Sequence, residues 1–417
     1  MESQRPMADG NRSLEIRRRL GVAQLTRRAF EGADLAEIWN GLLATVTADP
    51  RNAAALMDLS VLAQLLGDPQ TGENLQVRAL ELESIYRSPC DVAQPRLRLL
   101  AIAAATDIGG NIPLEFLLSG SDVELSTLYV GPGVALPAVL PDHDLAIVAI
   151  GNADRVASTL ERAVQLVAAW PAPVLNDPAR ILHLERDRLC ELVQSLPGLE
   201  CPKTARIARA DLASIATGGL RLPAVLSDGA FPVIVRPVDS HAGKGLEKLD
   251  APGALAGYLN ERTEAEFFIS RFVDYSSSDG LFRKYRIVFI DGVPFPAHLA
   301  IADQWKVWYL NANMDVSAGK RAEEAHFMAT FDAAFAERHR DTFRELVERV
   351  GLDYFGIDCA ETKDGKLLLF EGETALIVHD MDPPGIYPYK APQMRKLFAA
   401  FVEMLYRRAG IALSRAA

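Results

Sequence analysis

Between residues 34 and 87, apolar positions recur at three- and four-residue spacing through DLAEIWNGLLATV, NAAALMDLSVLAQLL and GENLQVRALELESIY. That period predicts amphipathic helices. Asp49-Pro50 and Gly67-Asp68-Pro69 separate them as stop and start signals. The preceding residues, to about 30, are polar and arginine-rich and read as a loose tail with one helix at most, RRRL near residue 17 being solvated. From RLRLLAIAA at 96 the pattern changes to short buried strands. HDLAIVAIG is a second such run, followed by the amphipathic helix ADRVASTLERAVQLVAAW. Strand and helix in alternation predict a small parallel α/β unit. ARILHLERDRLCELVQSL continues as a helix. Strands then multiply in AFPVIVRPV, FFISRFVDY, YRIVFIDGVPFPAHLAI and KVWYLNA. FDAAFAERHRDTFRELVERVG reads as one long helix, AEEAHF before it as a helix start, and APQMRKLFAAFVEMLYRRAG as the closing helix. The fold class is α+β, with antiparallel hairpins toward the C-terminus.

A length of 417 residues exceeds the usual single domain. The pattern divides it into a helical part at 1–92, an α/β part at 93–175 and a larger unit at 176–417. With 49% hydrophobic and 24% charged residues the chain is globular. A net charge of -11 excludes nucleic acid and anionic membrane as the main partner, since both need a basic face, but a nucleotide needs only a few local cations. Cys90, Cys190, Cys201 and Cys359 form no CxxC motif, which argues against a disulfide framework or a zinc cluster. The N-terminus lacks a secretory h-region, and no apolar run is long enough to span a bilayer. A cytoplasmic protein is expected.

The stretch FGIDCAETKDGKLLLFEGETALIVHDMD, residues 355 to 382, places Asp358, Glu371 and Glu373 inside apolar runs. Asp364-Gly365 signals a two-residue type I′ turn closed by Lys363 and Lys366. That register sets Asp358 opposite Glu371, with Glu373 on the same face; an odd-length loop would shift it. Like charges facing each other across a strand pair repel. Either the face is solvated or a cation balances it. An oxygen-only donor set suits magnesium better than zinc, and magnesium usually takes one or two carboxylates plus substrate phosphates.

FPVIVRPVDSHAGKGLEKL, residues 231 to 249, is the candidate phosphate side. Arg236 ends an apolar strand, where a guanidinium calls for an anion. Gly243 and Gly245 let backbone N–H groups approach phosphate, and Ser240, His241 and Lys244 can donate. A plain turn between strands is the competing explanation, because no Walker loop is present.

Residues from about 175 to 408 resemble the ATP-grasp superfamily, which includes glutathione synthetase, D-alanine–D-alanine ligase and the ribosomal-protein glutamate ligase. The resemblance lies in the order of parts. Asp187-Arg188 comes first, then an apolar strand ending in a cation and proline, the glycine-rich flap, the hinge strand FISRFV, the Arg286 strand, Asn311 and the acid hairpin. The thirteen-residue step from Asp358 to Glu371, with Glu373 two further on, is similar to the family's magnesium signature. The helical part resembles one tetratricopeptide-type hairpin. The family implies ATP and Mg²⁺ as cofactors. Asp358, Glu371 and Glu373 would hold the metal, and Arg188 and Arg236 would contact phosphates under the 240–245 flap. Backbone groups at Phe272 and Val273 would hold adenine, with Arg286 and Asn311 completing the reacting shell. The chain departs from the family in having Arg188 and Arg236 where lysine is common, Glu373 where asparagine is common, and His298 as the nearest polar group where a substrate-facing arginine is usual.

The implied activity is ligation of a small-molecule or peptide carboxylate to an amine through an acylphosphate, with release of ADP. Two alternatives stand beside it: a modifier of a peptide or protein docked on the N-terminal helices, and a catalytically silent nucleotide-binding regulator. Ligases of this kind often self-associate, so a homodimer is a further expectation. His143 and His379 lack further ligands at metal spacing and read as structural, and WKVWYLN fits either a pocket wall or a half-buried strand.

Overall fold

The computed structural model describes residues 16–240 and 243–412, with Leu310 described by its backbone alone. Near the N-terminus, helices Leu35–Ala48, Ala53–Leu65 and Pro69–Leu82 start where Asp34, Asn52 and Asp68 accept hydrogen bonds from the first-turn backbone. Ala53–Leu65 is buried almost all round, packed between its neighbours and helix Val22–Phe30. Of the expected tail, residues 1–15 lie outside the described residues, and the arginine-rich residues 16–21 are not solvated as a tail would be. Arg19 is buried and paired with Glu115 at 2.7 Å, and Asp58 accepts from the backbone N–H groups of Leu20 and Gly21. Partners on two other elements fix these residues, and local periodicity cannot register them.

A five-stranded sheet follows, in the order Ile85–Arg87, Val123–Val130, Leu97–Ala104, Leu145–Val148, Val174–Leu175. It is parallel except at its first edge, as the alternating pattern predicts for most of it. Two further sheets make up the rest, antiparallel except where Leu199–Glu200 joins the edge of the larger in parallel. The smaller runs Thr204–Ala208, Glu266–Arg271, Val233–Pro237, Glu247–Leu249 and has its own core, built with helices Arg209–Ala216 and Pro252–Asn260. The larger runs Val293–Ala302, Phe282–Ile290, Tyr354–Glu361, Leu367–Glu373, Leu199–Glu200. Its core is continuous with that of the parallel sheet. The α+β class is therefore observed as two largely antiparallel sheets beside a largely parallel one.

The long helix expected at 331–351 is broken into Phe335–Arg338 and Arg340–Val350. AEEAHF lies within helix Ala318–Thr330, where Glu324 is fully buried, rather than at its start. KVWYLNA forms no strand; residues 305–311 are a loop ending in one turn of 3₁₀ helix. The four cysteines are free thiols. Among the described residues no helix is long and apolar enough to cross a membrane.

Candidate active site

The acid hairpin closes differently from the expected two-residue turn. Thr362 N–H donates to Lys366 O and Gly365 N–H donates to Thr362 O, both at 2.9 Å, with Gly365 at φ 83°. This is a three-residue loop, with glycine in the left-handed region that the geometry demands. Pairing proceeds from Glu361 opposite Leu367 to Cys359 opposite Leu369 and then shifts. Phe370 is an extra residue on its strand, a β-bulge. Beyond it Asp358 faces Glu371 and Gly356 faces Glu373. The odd loop displaces the register by one and the bulge restores it, so the predicted pairing of the acids holds for a different reason.

The next strand completes the row. Arg286 lies directly opposite Asp358, and His298 opposite Arg286 on the far side. Asp358 is fully buried. Arg286 Nε donates to its Oδ1 at 2.8 Å and Nη2 to its Oδ2 at 3.0 Å, while Lys284 Nζ stands 2.6 Å from Oδ2. Burial opposes ionisation of Asp358, yet Arg286 and Lys284 outweigh it and hold the carboxyl well below its ordinary range. Burial opposes ionisation of Glu371 too, but its partner Arg186 together with Lys284 and Arg236 outweighs it and lowers the carboxyl. Glu373 enters no ion pair among the described residues, and burial together with the Glu371 charge pushes it up to about 7. Burial and the neighbouring Arg186 lower Arg236 to about 10. Cations and anions thus alternate through the cleft, with Glu373 the carboxyl whose ionisation is most opposed.

Arg236, Gly243, Phe272, Val273, Arg286, Asn311, Asp358, Glu371 and Glu373 all line one cavity of about 440 Å³ between the two antiparallel sheets. Arg188, Ser240, Lys244 and Gly245 do not. Ser240 Oγ accepts from Arg236 Nε at 3.1 Å and donates to Pro237 O at 2.7 Å, so it holds the arginine in place. Gly245 has φ +68°, and a Cβ there would meet Pro237 at 2.7 Å. Its role is to let the flap turn. Lys244 is exposed, and His241 lies outside the described residues. Arg188 donates to Leu182 O at 3.2 Å, away from the cleft. Asn311 caps its own loop, accepting from Trp308 N–H at 2.9 Å and donating to Lys306 O at 3.2 Å.

Sequence reasoning missed Arg186, Lys284 and Lys306, which line the cavity together with Trp308, a residue it left open between a pocket wall and a strand. For Arg186 a signal exists: it lies three and four residues before the buried Leu189 and Cys190, hence on the inward face of helix Arg186–Leu192, whereas Arg188 does not. Lys306 reaches across the cleft and donates to Leu246 O in the flap at 3.0 Å.

The cavity has two apolar ends with the charges between them. At the hinge, Phe272 stacks edge-on to Trp305 with centroids 5.8 Å apart, Lys248 Nζ lies 4.6 Å over the Phe272 ring, and Tyr275 meets Phe370 at 5.1 Å. At the far end stand Ala375, Leu376, Ile377 and Trp308. Among the described residues no group of three or more His, Cys, Asp or Glu side chains is arranged as a metal cage. The donor chemistry still fits a hard divalent cation sharing its shell with phosphates: the set is oxygen-only, and a cation beside Glu371 and Glu373 would favour the ionised form that burial and their mutual repulsion oppose.

Among solved structures the chain is similar to an ATP-grasp RimK domain protein from Sphaerobacter thermophilus, at 16% identity over 73% of this chain and 99% of that one, TM-score 0.41. It is also similar to a D-alanine–D-alanine ligase from Bacillus anthracis complexed with ATP, at 13% identity over 76% and 100%, TM-score 0.44. A D-alanine–D-alanine ligase from Coxiella burnetii gives 10% identity over 76% and 96%, TM-score 0.46. No family model and no curated protein matches the chain.

Proposed function

We propose that this chain is an ATP-grasp ligase that uses ATP and Mg²⁺ to join a carboxylate to an amine through an acylphosphate, releasing ADP. One observation carries the reading: Asp358, Glu371 and Glu373 share a cleft with Arg186, Arg236, Lys284 and Arg286, beside an aromatic pocket at the hinge. Adenine fits between Phe272, Val273 and Trp305, and the triphosphate then runs over the charged centre. Arg186 and Arg236 sit where they can neutralise the bridging phosphates, and Lys284 and Arg286 where the γ-phosphoryl group is transferred. Glu371 and Glu373, backed by Asp358, would hold the metal, which supplies further neutralisation of the phosphates when bound. Lys306 ties the flap to the large sheet and so excludes water from the transfer.

The division at 92 and 175, the tetratricopeptide-like character of the helices, docking of a peptide or protein there, self-association and a cytoplasmic setting belong to the same proposal. A silent nucleotide-binding regulator is the second reading. The feature in its favour is that both Asp358 oxygens are taken by Arg286 and Lys284. Phosphorus NMR of ATP and Mg²⁺ with pools of acids, amino acids and amines separates the two. ADP and phosphate appearing only with particular acid–amine pairs support ligation. AMP and pyrophosphate would refute the acylphosphate route, and ATP binding without any turnover would favour the regulator.

A further inference from the structure

Trp308 and Ile377 are 43% and 57% exposed, and they are the only exposed large apolar side chains among the described residues that also line the cavity. Both stand at the Arg286 end. Arg286 Nη1 donates to Ile377 O at 3.1 Å. Trp308 precedes Tyr309, whose ring lies 4.9 Å from His298, the cross-strand neighbour of Arg286. Ala375 and Leu376 extend the same wall. Exposed apolar surface next to a charged centre marks a binding face.

The charged groups near this end are committed elsewhere. Lys306 is turned to the flap and donates to Leu246 O at 3.0 Å. Lys390 is buried against Glu324 and Asp382, and Asp380 is paired with Arg27 at 2.8 Å. On the opposing wall Asp107 and Arg155 pair with each other at 2.8 Å. Lys284 and Arg286, which share Asp358, are the cations that a substrate carboxylate meets here, and among the described residues no further cation lining the cavity stands at the Trp308–Ile377 wall.

We infer that the acid taken by this chain has an apolar body, aromatic or branched aliphatic, seated between Trp308 and Ile377 with its carboxylate toward Arg286 and Lys284. This rests on the ligase reading above. A second carboxylate on the substrate would be desolvated against the apolar wall with no partner. In the reaction a carboxylate oxygen attacks the γ-phosphorus, and the bond to the β-phosphate oxygen breaks with its electron pair leaving on ADP. A nucleophilic nitrogen then attacks the acyl carbon, phosphate departs, and the nitrogen loses a proton.

Hydroxylamine as the nucleophile removes the need to know the natural amine, because the acylphosphate is converted to a hydroxamate. The full chain is assayed with ATP and Mg²⁺ against leucine, phenylalanine, isovalerate and hydrocinnamate, and against glutamate and succinate. ATP affinity is measured on every variant. We expect kcat/KM for the apolar acids to exceed that for the diacids by about tenfold or more. Ile377→Asp and Trp308→Ala should each reduce that ratio by about tenfold with ATP affinity retained. Diacids performing as well as apolar acids, or an unchanged ratio in both variants, would overturn this inference while leaving the ligase standing. Hydroxamate from none of the acids would overturn both.

Discussion

Asp358 faces Glu371 across the acid hairpin because Phe370 is an unpaired residue in the strand between them. The three-residue loop alone would put Glu371 opposite Ile357, on the other face of the sheet. The bulge therefore decides whether the acids meet at all. Phe370 itself meets Tyr275 at the aromatic end, 5.1 Å between ring centroids.

Inserting one residue between Leu369 and Phe370 should carry Glu371 opposite Ile357 and out of the cleft while leaving the hairpin's backbone pairing available. The expected outcome is loss of Mg²⁺-dependent ATP binding, read by calorimetry, in a chain that retains its far-ultraviolet circular dichroism. Binding at wild-type affinity would mean that the pairing of Asp358 with Glu371 is not what the site needs.

Arg186 and Arg188 separate the observed site from the one expected by resemblance. Arg186 pairs with Glu371 and crowds Arg236, whereas Arg188 contacts only a backbone carbonyl outside the cavity. Arg186→Ala should weaken ATP binding by about tenfold or more, the scale of one charge-assisted contact, and Arg188→Ala should leave it within about twofold. The reverse order would return the phosphate role to Arg188.

The legible parts of the fold were those written in short-range pattern. Helices at 34–87, alternation into a parallel sheet and the acid hairpin all follow from periodicity and turn chemistry. The illegible parts depend on partners distant in sequence. Arg19 looks like tail because its partner, Glu115, is on another element. Residues 305–311 carry a strand-like alternation, but Lys306 and Trp308 are drawn into the cleft. Within the site, the Asp358–Glu371 pairing was reached by register counting, yet a loop and a bulge that cancel leave no trace in residue spacing. In the segment expected to be a phosphate flap, Ser240 holds Arg236 rather than lining the cavity.

Glu371 has two duties that mutation can separate. Without ligand it neutralises Arg186; in the proposed complex it turns to the metal. Glu371→Gln leaves Arg186 with Glu185, 3.6 Å away, as its remaining ion pair, so the cost stays below the roughly 3 kcal/mol of a shielded charge left wholly unpaired. ATP phosphates can supply the missing charge. In chelator, ATP should therefore raise the melting temperature of Glu371→Gln more than that of the wild type. With Mg²⁺ present the order should reverse, because the wild type alone keeps the metal ligand. The same order under both conditions would exclude a metal role for Glu371.

Asp58 offers a pH test remote from the cleft. Its carboxylate accepts from Leu20 and Gly21 N–H at 2.7 and 3.1 Å and anchors the start of helix Val22–Phe30. Burial raises its pKa to about 6, with the Glu115 charge adding to the rise, while those N–H groups and Arg19 oppose it. A carboxyl raised on folding binds more protons in the folded state than in the unfolded one. Its stabilising contribution is therefore fully present below the unfolded value of 3.8 and is lost as pH rises through about 6. Moving from pH 7 to pH 5 should stabilise the wild type relative to Asp58→Asn by about 1 kcal/mol, since asparagine does not titrate. Urea unfolding of both chains at the two pH values measures the difference directly. A difference that is flat with pH, or one that favours the wild type more at pH 7, would show that Asp58 is already ionised at little cost when folded.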